Sequence, residues 1–527
     1  MNQKRIASLL IGFLFLFGKA LLAQSSYWIF FTDKKDVSFN PYEYFDAKAI
    51  ERRMKNNIPL NDPTDWPLNE TYVSTITNIV DSVSGQTRWF NALAVRASED
   101  QIIQIKKLKF VKEVQLMEFY AIPAKHKSAY LNSDYTNQRK QQLEIMGWSM
   151  FKKNKINGKG VRIAIFDGGF PGVNTSPAFE QIRNDNRLIK TWDFTKGKEN
   201  VFYSISHGTM VMSNIGGLII ENGDTAQYGL ATGAEFMLAK TEVKTEPFSE
   251  EKNWLMAVEW ADKNGADIIN SSLGYTKDRY FKSDMDGKTS LVSRAGNMAA
   301  RKGILVVNAA GNEGIDMWHT IGAPADADSV LSIGGINPKD GYHIDFSSYG
   351  PTADGRMKPN VCAFGNAIVF GSKMQEENVN GTSFASPLVA GFAACALQAN
   401  PKIKNMELFH LIEKSGHLYP YFDYAHGFGI PQAEYVITKQ KEKVKPNFTA
   451  SFDGAYMHIK ILDQVKIPIG GQYLMYINFK NKKGIIKKYL VVAVYSHEFD
   501  IETSCGLGKA NEINIFFNGY YSTIKIK

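Results

Sequence analysis

Cysteine is scarce: the 527-residue chain holds three, Cys362, Cys395 and Cys505. So small and odd a number excludes a disulfide framework, and no CxxC pair marks a zinc site, so all three read as buried free thiols. Long apolar runs are missing too: beyond the amino terminus no stretch reaches the ~20 apolar residues that cross a bilayer. Internal repeats and low-complexity segments are absent. With 44% hydrophobic and 22% charged residues, 43 Gly and 18 Pro, the composition excludes collagen-like and disordered chains. A basic surplus is lacking where it would matter. Residues 138–444 carry 33 charges of each sign and residues 24–137 carry 14 of each, so the net +8 comes from the two ends. Nothing in the middle of the chain neutralises phosphates, which excludes nucleic acid as a partner.

What is present begins with Lys4-Arg5, the apolar run Ile6–Phe17 and small residues up to Ala23. That order of basic, apolar and small residues is a secretory signal over residues 1–23, cleaved after Ala23. The run is too short for a membrane anchor, so the mature chain is expected outside the cytoplasm, in the periplasm, at the cell surface or secreted, with no membrane span.

Residues 24–137 read as a small α+β domain. Strands are expected at Tyr27–Phe31, Tyr72–Val80, Ala92–Arg96 and Val111–Met117. A helix should follow Ser98, whose hydroxyl can cap a first turn made acidic by Glu99 and Asp100. The polar stretch Ala124–Gln142 reads as an exposed connection. From Gly158 to about Gly429, short β-branched strands (Val161–Phe166, Ala266–Asn270, Ile304–Val307, Val330–Ile333) alternate with helices such as Glu251–Asn264. This rhythm predicts an α/β fold, a parallel sheet with helices on both faces. Residues 445–527, where 11 Lys face six acidic residues, show alternating runs at Met457–Leu462, Tyr473–Phe479, Lys488–Tyr495 and Ile513–Phe517, the pattern of a small β domain.

Ligand sites in parallel sheets lie beyond the carboxyl ends of the strands. There stand Asp167-Gly168-Gly169 after the first strand, Ser206-His207-Gly208-Thr209 opening an apolar helix, and Gly381-Thr382-Ser383 before Pro387 and the apolar helix Leu388–Ala399. A serine hydroxyl becomes nucleophilic when a neutral imidazole accepts its proton, and a carboxylate holds that imidazole in the right tautomer. Asn312, on the glycine-flanked loop Asn308–Gly314, offers an amide donor at the same edge for a developing oxyanion.

The blocks Val161–Gly169, His207-Gly-Thr, Asn270–Gly274, Ala309–Asn312 and Gly381–Pro387, in the chain order Asp, His, Ser, resemble the subtilisin-like serine peptidases. The resemblance implies Ser383 as nucleophile, His207 as general base and then acid, Asp167 as its orienting partner, and Asn312 with the Ser383 N–H as oxyanion hole. It also implies that Ser272, Leu273 and Gly274 pair with the substrate backbone, and that Gly322 lies near the base of the pocket for the residue before the cut bond; with no side-chain charge at Gly322, large apolar residues are expected there. Residues 24–137 then resemble the family's propeptide, an intramolecular inhibitor removed by cleavage between about 120 and 145; a permanent substrate-binding domain is the alternative. Residues 138–444 form the peptidase domain. Protein or peptide substrates are the expected partners.

Two positions depart from the family. Gly168 stands where Ser or Thr is usual, so a hydroxyl that supports the carboxylate is missing, which favours a rival reading of a catalytically impaired, peptide-binding protein of the same fold. Phe384 replaces the commoner Met beside the nucleophile. No cofactor is required for the chemistry. Structural calcium is common in the family, yet no Asp-rich loop has the spacing of a cation site. Glu407, His410, Glu413 and His417 have helical spacing but lack HExxH, and Gly416 should end their helix, so no metal ligand is assigned. The tail's excess of lysine suits an anionic envelope surface or an ordinary solvated face.

Overall fold

The computed structural model describes residues 25–117, 135–221, 223–243, 249–277, 279–467, 473–502 and 510–526. The expected signal segment, Cys505 and the first part of the expected maturation window lie outside the described residues. The chain forms two compact units. One holds the described residues up to Glu43 and Asn61 to Met117; the other holds Tyr44–Leu60 together with everything described from Tyr135 onward.

The first unit is built on β1 (Ser25–Phe31). The helices between β1 and β2 (Ser82–Thr87) include α1 (Ala47–Lys55), which belongs to the second unit, and α2 (Glu70–Thr77). β3 (Ala92–Ala97), α3 (Glu99–Ile105) and β4 (Val111–Leu116) complete an antiparallel sheet in the order β2-β3-β1-β4. Ile29, Phe31, Leu93 and Val95 bury one face of it against Ile76, Ile102 and Ile105 of the helices. Ser98 caps α3 as expected: its hydroxyl accepts from Gln101 N while the Gln101 side chain accepts from Ser98 N.

One element differs from expectation. Tyr72–Val80, rich in β-branched residues, was expected as a strand and instead lies largely in α2. The Asn69 side chain caps that helix through Tyr72 N at 3.1 Å, and Thr75 and Thr77 turn their hydroxyls back onto the carbonyls of Thr71 and Val73 at 2.7 and 2.8 Å. Those bonds let threonine sit in a helix despite its β preference.

The second unit is organised by a seven-stranded, all-parallel sheet. Its strands are β5 (Arg162–Asp167), β6 (Leu188–Asp193), β7 (Glu235–Lys240), β8 (Ile268–Ser271), β9 (Leu305–Ala309), β10 (Val330–Ile336) and β11 (Val361–Phe364), in the order β11-β10-β9-β8-β5-β7-β6. Between them come α4 (His207–Gly216), α5 (Ser249–Lys263) and α6 (Leu291–Arg301), and after them α7 (Thr382–Ala399) and α8 (Asn405–Ser415). Helices cover both faces, so β5 and β9 to β11 are buried end to end, as their continuous apolar sequences require.

α7 packs in the centre of this core, with Phe392 against Phe151. By length and composition alone it could cross a membrane, contrary to the expectation that nothing beyond the amino terminus would, but its most apolar window is 83% buried among the other elements. Cys362 and Cys395 are buried free thiols. α8 ends at Gly416, as expected.

The carboxyl-terminal strands are β12 (Phe448–Phe452), β13 (Tyr456–Ile461), β14 (Tyr473–Lys480), β15 (Ile486–Val494), β16 (Glu498–Glu502), β17 (Glu512–Phe517) and β18 (Tyr520–Lys525). They make two antiparallel sheets, β12-β13-β16 and β15-β14-β17-β18, around a core that includes Met457, Ile459, Ile477 and Ile515. This layer leans on the parallel-sheet core through Tyr476 and Phe516, which pack with Leu418 and Tyr421, and through the Asn478 side chain, which donates to Phe422 O at 2.8 Å.

Candidate active site

Three chain segments meet at the carboxyl edge of the parallel sheet. β5 delivers Asp167 as its last residue, and α4 begins at His207. The carboxylate accepts from the His207 ring through Oδ2, with Nδ1 at 2.8 Å, and from Gly168 N through Oδ1 at 2.7 Å. Asp167 is buried whereas the His207 side chain keeps 28% of its surface, so the pair is sealed on one side and open on the other. Gly208 permits this approach. A Cβ there would stand 2.5 Å from Gly169 O and 2.9 Å from the Asp167 Cβ, too close for any side chain. Burial opposes the charged imidazolium, but the adjacent Asp167 charge and its hydrogen bond outweigh that, and the His207 pKa is raised.

Ser383 is the second residue of α7, behind Gly381. Its hydroxyl donates to Ser272 O at 3.1 Å rather than to His207. Pro387 was expected in the first turn of a helix starting near Leu388; the helix begins at Thr382, which puts the proline one turn further in. Proline has no N–H to give the carbonyl four residues back, which is that of Ser383. The Ser272 hydroxyl fills the gap, donating to Ser383 O at 2.9 Å. Asn270 Nδ2 donates to the Ser272 oxygen at 3.1 Å, and the Ser386 hydroxyl donates to Asn270 Oδ1 at 2.9 Å. Sequence reasoning missed this buried chain of Asn270, Ser272 and Ser386. The signal was the proline itself, placed where a helix carbonyl would lose its donor.

Asn312 follows β9. Its Oδ1 accepts from Thr382 N at 2.9 Å and lies 3.0 Å from the Thr382 hydroxyl. A backbone N–H can only donate, so the oxygen must face Thr382 and the amide N–H groups face away from it. Thr382 was also missed as an orienting residue. Next to it half-buried Glu313 has its pKa raised by desolvation, and its carboxylate accepts from Ser348 at 3.0 Å.

The segment Ser272-Leu273-Gly274 leaves the end of β8. Asn308 Nδ2 holds Leu273 O at 2.9 Å, and among the described residues nothing lies within 4 Å of a Cβ built on Gly274. Tyr275 and Ala323 exchange backbone hydrogen bonds at 2.9 and 3.0 Å, which brings Gly322 beside this segment, where a Cβ would stand 2.7 Å from Thr276 Cγ2. At Gly168 a Cβ would meet Ile205, 2.9 Å from its Cδ1 and 3.2 Å from its Cβ. The missing hydroxyl therefore goes with a bulky neighbour that occupies its space. Of the four residues with helical spacing, His410 pairs with Glu413 at 2.9 Å while His417 accepts from Ile430 N at 2.8 Å. Among the described residues no group of three or more His, Cys, Asp or Glu is arranged to hold a metal ion.

A family model described as the subtilase family matches residues 158–429, more than half of the chain and the whole of the site above. The chain belongs to the subtilase family. A second model, the peptidase S8 propeptide domain of Bacteroidota, matches residues 26–136, so this subtilase carries an amino-terminal propeptide domain. Subtilisin NAT of Bacillus subtilis subsp. natto is 28% identical over 342 residues, covering 63% of this chain and 77% of its own. Subtilisin DY of Bacillus licheniformis is 29% identical over 263 residues, 49% of this chain and 85% of its own. Among solved structures, MycP1 with its propeptide removed has a TM-score of 0.46 at 23% identity, covering 57% of this chain and 99% of that one. As a subtilase the protein is a serine endopeptidase, a hydrolase, and its parallel sheet with flanking helices is the subtilisin-like fold.

Proposed function

We propose that this subtilase is exported as an inhibited precursor and hydrolyses peptide bonds through an acyl-enzyme formed on Ser383. The observation that carries the reading is the buried Asp167 carboxylate holding His207 Nδ1 at 2.8 Å, which leaves Nε2 as the proton acceptor at the open side of the ring. In this reading the Ser383 hydroxyl leaves Ser272 O and donates to that nitrogen. Attack on the scissile carbonyl transfers the hydroxyl proton to His207, and Asp167 stabilises the imidazolium. The negative oxygen of the tetrahedral intermediate is received by the Asn312 amide and by Ser383 N–H, which at the start of α7 has no helical acceptor. His207 then protonates the leaving amine, and water repeats the sequence in reverse to free the acid. Ser272, Leu273 and Gly274 supply main-chain pairing for the substrate, and Gly322 borders the pocket before the cut bond, favouring large apolar residues.

Gly168 supports one rival, a peptide-binding protein with impaired turnover. A fluorophosphonate probe separates the two. Labelling of the protein freed of its pro-region, lost in Ser383→Ala, is the expected result; no labelling of the unaltered protein favours the binding reading. Export and processing are tested by mass spectrometry of the mature amino terminus, expected between about 120 and 145, with Ser383→Ala left unprocessed.

A further inference from the structure

Helix α1 lies within the sequence matched by the propeptide model, yet it is part of the unit built on the parallel sheet. It docks at the amino ends of the strands. Arg52 Nε donates to Lys302 O at 3.2 Å, Nη1 donates to Ala266 O, and Nη2 reaches Asp262 O at 3.2 Å as well as the Asp262 carboxylate. Arg53 takes the other oxygen of the same carboxylate and lies over the Phe45 ring, 4.1 Å from its centroid. All three charged residues are 2% exposed or less.

The socket's surroundings fit the same segment. Lys48 pairs with Asp267 at 3.4 Å, Asp46 accepts from Arg162 at 3.1 Å, and Asn56 accepts from Asn405 N at 3.0 Å. A Cβ on Gly265 would stand 2.9 Å from Ala49 N, and one on Gly303 would stand 2.8 Å from the Asn56 side chain. Asp262 lies in the last turn of α5 and Lys302 follows α6, so one carboxylate and three main-chain carbonyls are presented together to a pair of neighbouring guanidinium groups, the planar forked donors suited to them. Arg162 opens β5 and Asp167 closes it; five steps of 3.3 Å put about 17 Å between this edge and the catalytic edge.

We propose that the amino edge of the sheet carries a binding site for a helix with adjacent arginines, read by Asp262, and that residues 44–60 use it to anchor the pro-region independently of the peptide groove. Once the connection between 117 and 135 is cut, this anchor keeps the severed pro-region at high local concentration. The inference does not rest on catalysis, because the test uses an inert chain.

The full precursor with Ser383→Ala and a site-specific protease sequence inserted between residues 117 and 135 is cut once, and release of the amino-terminal piece is followed by size-exclusion chromatography and native mass spectrometry. The pieces of the parent are expected to co-elute. Arg52→Gln with Arg53→Gln, shown by melting of the uncut chain to be folded, should release at least tenfold faster. A parent whose pieces separate at once, or a folded variant releasing within twofold of the parent, overturns the proposal. If the variant does not fold, a synthetic peptide spanning residues 44–60 decides: added in excess to the cut parent it should speed release, and no acceleration overturns the anchor.

Discussion

The rings of His207 and Phe384 lie with centroids 5.3 Å apart and planes tilted by 53°. Phe384 is 4% exposed, so an aromatic wall without sulfur backs the proposed base. Methionine here would place an oxidisable thioether beside the imidazole. Peptidase activity should survive brief treatment with dilute hydrogen peroxide, whereas Phe384→Met should lose most of its activity. Equal sensitivity of the two proteins would show that the damage lies elsewhere.

With His207 as the proposed base, its raised pKa should set the acidic limit of activity. The base works when neutral, so kcat/KM should climb with pH through a value above the ordinary ~6.5 of histidine and level off in the alkaline range. Asp167→Asn removes the charge that raises it. The residual activity of that variant should titrate at lower pH than the parent, with kcat far reduced. A pH-rate profile with unmoved midpoint would separate Asp167 from the titrating group.

Asn312→Ala should lower kcat by roughly 10²–10³ with little change in KM, the usual cost of removing one oxyanion-hole donor. Thr382→Val keeps the backbone N–H that fixes Asn312 Oδ1 and loses the hydroxyl, so its loss should be smaller, about tenfold. In the Asn312→Ala background Thr382→Val should cost nothing further, because residues in one hydrogen-bonded pair are not additive. Additive losses measured on a peptide substrate would mean that Thr382 acts by another route.

Gly168→Ser restores the hydroxyl usual in the family but drives a Cβ against Ile205. The substitution should destabilise by about 1–3 kcal/mol, the usual cost of overpacking. Pairing it with Ile205→Ala should return much of that loss, and urea midpoints of the four proteins give the coupling. Equal destabilisation by the single and the double variant would remove Ile205 from the account.

The placing of the proposed catalytic residues at one edge of the sheet was legible because each of them follows a strand or opens a helix. Asp167, His207, Ser383 and Asn312 stand in short blocks whose glycines and apolar neighbours announce both the element and its end. Local signals failed where distant contacts decide. The β-branched content of 72–80 argued for a strand until the hydroxyls of Thr75 and Thr77 found helix carbonyls. Nothing in the sequence around Arg52 and Arg53 says that Asp262, some two hundred residues away, neutralises them; two arginines in a polar stretch look like a solvated surface. Pro387 was noticed, but one turn out of place, because its effect falls on a carbonyl four residues back and on the strand that repairs it.

That repair ties Ser383, the proposed nucleophile, to the segment proposed to pair with the substrate. Shortening the Ser272 loop, or moving the Ser383 helix alone onto another scaffold, would strand a main-chain oxygen at the proposed catalytic centre. Anyone redesigning this enzyme must transplant Asn270–Gly274 and Gly381–Pro387 as one inseparable cassette.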